Sequence, residues 1–152
     1  MFISSWTALN AMLMLSPVTA PADLQACENP VFFCRIAHSA HSVRLCEKDD
    51  QLTYTFSPGR GAPEKTFTAL RADVTVQPWN GADADYVDAI SMPHGIWNYR
   101  IFAVTPRGAD NPAAAGVASA GITVLRNGQD VRHFTCDADS VRERVQSLQL
   151  HP

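Results

Sequence analysis

The sequence predicts an all-β fold, either an antiparallel barrel or a two-sheet sandwich of about seven or eight strands with a short C-terminal helix. Apolar and polar residues alternate from Val31 to Thr135, which is typical of half-buried strands. Asn127-Gly128 stands between two alternating runs and predicts a tight hairpin. Segments rich in Gly and Pro separate the runs, as the turns of an antiparallel fold require.

The first half of this region predicts a series of extended segments. They comprise residues 31–37, 42–46, 51–56 and 66–76. The first two form a hairpin around a His-Ser-Ala-His turn. In the third, Leu52, Tyr54 and Phe56 share one face. The fourth is one long strand or a broken one, and a loop at 57–63 precedes it.

The second half predicts two further hairpins. Residues 86–92 and 96–104 form the first, with Pro93 at the second position of the turn and Gly95 at the fourth. Irregular connections flank it at residues 77–84 and 105–115. The hairpin at Asn127-Gly128 is the second, and its facing pairs are Arg126 with Gln129, Val124 with Val131, and Ile122 with His133.

The end of the chain predicts two further features. Gly121 lies across from Phe134, so that an aromatic ring covers a glycine. After Cys136 the apolar period becomes helical, and Ser140 and Glu143 have the spacing of a capping box. The short helix that follows carries an apolar stripe of Val141, Val145 and Leu148 and is expected to pack on the sheet or to close one end of a barrel.

Residues 1–22 predict a signal peptide that is removed on export. The segment contains no Asp, Glu, Lys or Arg, and its apolar centre is shorter than the ~20 residues of a membrane span. An Ala-Pro-Ala sequence ends at Ala22, so we expect cleavage there and a single disulfide-held β domain at 23–152, located in the periplasm or secreted. A buried N-terminal helix and a lipoprotein anchored at Cys27 are the alternatives.

The four cysteines predict two disulfides, because an even number in an exported chain reads as paired. Pairing Cys34 with Cys46, and Cys27 with Cys136, staples the first hairpin and ties together the two ends of the β region. The face pattern argues against this pairing, since Cys34 shares a face with Val43 whereas Cys46 points the other way, but we keep it as the expected pairing.

Composition and motifs exclude several function classes. Charged residues make up 18% of the chain and the net charge is −3, so neither nucleic acid nor an anionic membrane is an expected partner. Glu64 stands before Lys65, where a phosphate loop needs Gly, and the segment around Ser119 lacks the spacing of a nucleophile elbow. Two weaker patterns are possible metal sites. A zinc quartet would comprise Cys34, His38, His41 and Cys46. A calcium loop would comprise Asp83, Asp85 and Asp88. Disulfides and a solvated loop explain them better, so no metal or cofactor is predicted.

The aromatic strand at residues 96–102 is the best candidate for recognition. Trp97 and Tyr99 share one face and Arg100 lies on the other, and interfaces are enriched in these three residue types. The competing interpretation, which we favour, is that Trp97 and Tyr99 fill the core while Arg100 is solvated.

A set of short motifs follows the same order along most of the mature chain. They are Phe33-Cys34, Val43-Arg44-Leu45-Cys46, Leu52-Thr53-Tyr54-Thr55-Phe56, Asn98-Tyr99-Arg100 and the hairpin ending at Cys136. Their arrangement resembles a group of small exported, mostly uncharacterised proteobacterial β-proteins. A looser resemblance is to C-type lysozyme inhibitors, which are small exported β-barrels with disulfides. Their inhibitory signature, Ser-Gly-x-x-Tyr, is absent here, so the resemblance transfers no inhibitory residue.

Together these observations predict a non-catalytic periplasmic binding module of the inhibitor or immunity-protein kind, with a protein as its partner. A small-ligand-binding β-barrel is the first alternative, with an interior lined by residues such as Tyr54, Trp97 and Phe102. A zinc-dependent enzyme is the second alternative.

Overall fold

A computed structural model of the chain describes residues 27–77, 85–106, 117 and 119–149. The predicted signal peptide at 1–22 and Asp83 lie outside the described residues, as do most of the connections at 77–84 and 105–115. Among the described residues, no helix is both long enough and apolar enough to span a membrane.

Ten strands in the described residues form two antiparallel sheets. The strands are β1 (Asn29–Arg35), β2 (Ser42–Lys48), β3 (Gln51–Ser57), β4 (Lys65–Leu70), β5 (Thr75–Gln77), β6 (Tyr86–His94), β7 (Trp97–Thr105), β8 (Ser119–Arg126), β9 (Gln129–Thr135) and β10 (Arg142–Glu143). The first sheet has the order β10-β1-β2-β3-β4 and the second the order β5-β6-β7-β8-β9.

The predicted all-β class is confirmed in its sandwich form, because the two sheets pack together and do not close into a barrel in the described part of the chain. Alternate residues of each strand form the shared core, as the period-two pattern requires. Tyr54 and Phe67 of the first sheet contact Tyr99 of the second, with ring centroids 5.1 and 4.8 Å apart. Leu45 and Ile122, one from each sheet, are fully buried.

The extended segment at 66–76 is the broken strand and carries the chain from one sheet to the other. A 3₁₀ turn at Arg71–Asp73 separates β4 from β5. The backbone N–H of Arg71 donates to the carbonyl of Asp50 at 2.7 Å, and Val74 packs into the core on the far side of the turn. This interruption adds one strand to those that the sequence predicts, and β10 adds another.

Two disulfides form as predicted, but the expected pairing is wrong. Cys27 pairs with Cys46, and Cys34 pairs with Cys136. Cys34 is fully buried on the inner face of β1, so it cannot reach Cys46, which lies on the other face of β2. A backbone bridge between Ile36 and Cys136 brings the end of β9 against the end of β1. The buried disulfide therefore joins the two sheets.

The hairpin at Asn127-Gly128 is confirmed, and both turn residues have the positive φ that its turn type needs, 50° and 79°. Arg126 faces Gln129 as predicted. A bulge next to Leu125 then shifts the register, so that Val124 faces Arg132, Ile122 faces Phe134 and Gly121 faces Thr135.

The aromatic ring that covers Gly121 consequently belongs to Phe102 and not to Phe134. A Cβ at Gly121 would lie 3.0 Å from the ring of Phe102, its partner on β7, and 2.5 Å from the carbonyl oxygen of Phe134.

The turn between β6 and β7 lies two residues later than predicted. His94 pairs with Trp97, and Gly95 adopts the positive φ of 63° in the two-residue turn. Pro93 is an exposed strand residue that pairs with Asn98. Proline is tolerated there because β5 pairs with β6 only as far as Ser91.

The predicted C-terminal helix is replaced by 3₁₀ turns at Ala138–Ser140 and Val145–Gln149, on either side of β10. Its apolar stripe is buried as expected, since Val141, Val145 and Leu148 are at most 6% exposed. Ser140 does not start a capping box. Its Oγ accepts a hydrogen bond from the backbone N–H of Arg35 at 2.8 Å, and β10 pairs with β1, so strand pairing holds this segment extended.

Candidate functional site

A cleft of about 450 Å³ opens between the two sheets and is lined mainly by aromatic side chains. We call it the aromatic cleft. Its aromatic residues are Tyr54, Phe56, Trp97, Tyr99 and Phe134. Val124, Val131, Glu64, Lys65 and Arg132 complete the lining.

Strand alternation places these rings on facing walls. Tyr54 and Phe56 project from the same face of β3, and Trp97 and Tyr99 project from the same face of β7. The rings of Phe56 and Phe134 meet across the sheets with centroids 5.3 Å apart. Tyr99 is 8% exposed, so it belongs to both the core and the wall of the cleft.

The two tyrosines keep the floor of the cleft electrically neutral. Burial raises the pKa of Tyr54 well above its usual range, and the neighbouring Tyr99 raises it further. Burial also raises the pKa of Tyr99. Both side chains are neutral phenols at physiological pH, as tyrosines ordinarily are, and the raised pKa values extend that neutrality to more alkaline pH. Neutral phenols suit the binding of an apolar group beside them.

Charged groups lie around the aromatic surface. The guanidinium of Arg132 lies 5.7 Å from the ring centre of Phe134, and that of Arg126 lies 5.5 Å from Trp97. These are cation–π distances. Lys65 stands at the start of β4, beside Phe56 in the strand register.

A hydrogen-bonded chain fixes the rim of the cleft near Glu64. The ring of His41 stacks on Phe56 with centroids 4.9 Å apart, and its Nε2 donates to Glu64 Oε1 at 3.0 Å. Ser39 Oγ lies 2.7 Å from Nδ1 of the same ring. These hydrogen bonds connect the β1–β2 turn to the β3–β4 loop, and the carboxylate of Glu64 accepts one of them. No local sequence pattern brings these residues together.

The structure separates the residues proposed for recognition. Trp97 and Tyr99 line the aromatic cleft, whereas Arg100 is exposed on the opposite face of β7. Tyr54 also lines the cleft. Phe102 does not, because its ring stacks on His133 on the outer face with centroids 5.8 Å apart. Phe56 and Phe134 were not predicted as site residues, although alternation along β3 places Phe56 on the face of Tyr54.

The zinc quartet that the sequence disfavours cannot form, because Cys34 and Cys46 are oxidised in two different disulfides. Of the acidic loop, Asp85 is exposed and Asp88 is buried, while Asp83 lies outside the described residues. Among the described residues no group of three or more His, Cys, Asp or Glu side chains is placed to hold a metal ion.

A second depression, of about 390 Å³, is polar and carries charges of both signs. Arg71 and Arg144 line it together with Glu47, Asp49 and Asp50. Arg71 donates to the carbonyl of Leu148, which fixes the C-terminal turn. This depression lacks the apolar walls of the aromatic cleft.

Comparisons with protein-family models, with curated proteins and with solved structures find no match to this chain. The candidate site therefore depends on its own geometry and chemistry.

Proposed function

We propose that this protein is a non-catalytic binding module that holds the apolar part of a small ligand in the aromatic cleft. The observation that carries the proposal is the cleft itself, which has five aromatic side chains in a volume of about 450 Å³. Small-molecule sites are concave, mostly apolar and roughly 300–1,000 Å³ in volume. Polar groups at the rim, such as Lys65 and Arg132, would orient the ligand.

The cleft suits a flat ligand. Rings projecting from both sheets offer faces and edges on two sides, and offset or edge-on contacts between aromatic groups stabilise a complex by about 0.5–1.5 kcal/mol each beyond area burial. The walls stand on strands of a disulfide-linked sandwich, so little ordering is needed on binding.

Titration calorimetry with naphthalenemethanol, a neutral aromatic probe, tests this proposal. We expect binding to the native protein and a loss of about tenfold or more in Trp97→Leu. Phe102→Leu is the matched control, since it removes a ring from the outer face of the same strand. Absence of binding to the native protein, or equal losses in the two variants, would contradict the proposal.

The second candidate is an inhibitor or immunity protein that masks a partner protein. The observation that favours it is β9, an edge strand with mostly exposed residues next to the cleft. An edge strand can pair with a strand from another chain. Because of the resemblance to C-type lysozyme inhibitors, the direct test is a lysis assay with a C-type lysozyme. Stoichiometric inhibition is expected, and full activity at a tenfold molar excess of this protein would contradict this candidate (a ratio chosen for saturation).

We also propose export with cleavage after Ala22. Two disulfides indicate an oxidising extracellular or periplasmic environment. The Cys27–Cys46 disulfide supports cleavage before Asp23 over lipid attachment, since a disulfide-bonded Cys27 has no thiol left to acylate. Intact mass spectrometry of the protein expressed in bacteria should give a chain that begins at Asp23. A retained Met1, or a diacylated Cys27, would contradict the proposal.

A further inference from the structure

We infer that the aromatic cleft selects an anionic ligand, a small planar aromatic ring that bears a carboxylate. This inference rests on the proposed function and adds the chemical class of the ligand. The evidence for it is the arrangement of charged side chains around the aromatic rings of the cleft.

In the described part of the chain, no carboxylate forms an ion pair with the cations at the rim. The ion pairs among the described residues join Arg35 to Asp137 and His41 to Glu64. Within that part of the chain, no carboxylate lies within 4.0 Å of the ammonium of Lys65 or the guanidinium of Arg132. Glu64 is the acidic member of the cleft lining, and its carboxylate already accepts a hydrogen bond from His41. Among the described residues, the cleft therefore presents two cations without a carboxylate partner and one carboxylate that is already hydrogen-bonded.

The two cations flank the aromatic surface from opposite sheets. Lys65 belongs to β4 and is the cross-strand partner of Phe56. Arg132 belongs to β9, with its guanidinium close to the ring of Phe134. Phe56 and Phe134 are themselves in contact, and both Lys65 and Arg132 line the same cleft, so a ring bound beside them lies in a cleft with a cation from each sheet. A guanidinium binds a carboxylate through two parallel hydrogen bonds, which a neutral hydroxyl cannot match.

Cationic ligands are disfavoured by the same arrangement. Aromatic faces attract cations, but Arg126 and Arg132 already occupy positions over Trp97 and Phe134. A ligand ammonium would have to displace them against repulsion from Lys65. An aromatic carboxylate instead packs its ring against the aromatic side chains and pairs its negative charge with Lys65 and Arg132.

The test compares three probes of one shape at neutral pH and low ionic strength, namely naphthoate, naphthalenemethanol and naphthylmethylamine, substituted at the same ring position. Calorimetry should give naphthoate an affinity about tenfold higher than the alcohol, and the amine the lowest. Added salt should weaken the binding of naphthoate and leave the alcohol unchanged.

Single variants test which residues cause the preference for naphthoate over the alcohol. Arg132→Gln and Lys65→Gln should each lower the affinity for naphthoate by about fivefold and change that for the alcohol by less than about twofold. Arg144→Gln, in the polar depression, is the control and should change neither affinity. Equal affinities for naphthoate and the alcohol would overturn this inference and leave the proposed function intact. Failure of all three probes to bind would overturn both.

Discussion

At the scale of the residue, Tyr54 shows how burial sets the chemistry of the cleft. It is 1% exposed and contacts the rings of both Phe67 and Tyr99. Alternation along β3 is sufficient to predict that Tyr54 faces inward. The contact with Tyr99 is not predictable in this way, since it depends on how one sheet is placed over the other. The sequence therefore predicts which side chains of each sheet face inward, but it does not predict which of them meet across the two sheets.

The raised pKa of Tyr54 predicts a loss of stability at alkaline pH. An unfolded tyrosine ionises near pH 10, while the folded side chain keeps its proton to higher pH. The folded state then binds more protons than the unfolded state, so its free energy of unfolding falls as pH rises above about 10. Urea denaturation at several pH values measures this slope, which should be shallower in Tyr54→Phe. An unchanged slope in that variant would contradict the account.

At the scale of the element, the second sheet shows where local pattern succeeds and where it fails. The alternating runs predicted β6 to β9 and the turn at Asn127-Gly128. The bulge beside Leu125 cannot be predicted from the sequence, because one extra residue does not change the composition of the exposed edge strand β9. Strand β10 was also missed, since two residues carry no period and its extended form depends on pairing with β1.

The packing around Gly121 predicts that Gly121→Ala destabilises the second sheet. The new Cβ would lie 2.5 Å from the carbonyl oxygen of Phe134, and that backbone is held by its pairing with β8. We expect a loss of about 1–3 kcal/mol in the free energy of unfolding, measured by chemical denaturation. Phe102→Ala on the same background should not restore stability, because it removes the ring and leaves the carbonyl. Wild-type stability, or full rescue by Phe102→Ala, would show that the backbone does not constrain this position.

At the scale of the whole molecule, the disulfides could be counted from the sequence but not paired. Strand alternation indicates that Cys34 and Cys46 face opposite ways. It could not show that the chain after β9 returns to the end of β1, which is a property of the completed sandwich. The sandwich class follows from the strand pattern, whereas the relation between the sheets depends on contacts far apart in sequence.

The two disulfides should contribute unequally to stability. Cys34 and Cys136 are 102 residues apart, and Cys27 and Cys46 are 19 apart. In the chain-entropy model, removal of the first costs ~4.7 kcal/mol and removal of the second about 3. Paired Cys→Ala variants compared by urea denaturation should follow this order. A larger loss in Cys27→Ala/Cys46→Ala would contradict the role assigned to the disulfide that joins the sheets.

The claim that the aromatic cleft is the binding site is tested most directly by NMR. A titration of the isotope-labelled protein with naphthoate, followed by amide and aromatic chemical shifts, locates the probe without any variant. We expect concentration-dependent shifts at Phe56, Trp97, Tyr99 and Phe134, and unchanged signals at Arg100 and His133 on the outer face. Shifts confined to the outer face or the polar depression, or no shifts at saturating probe, would contradict the claim.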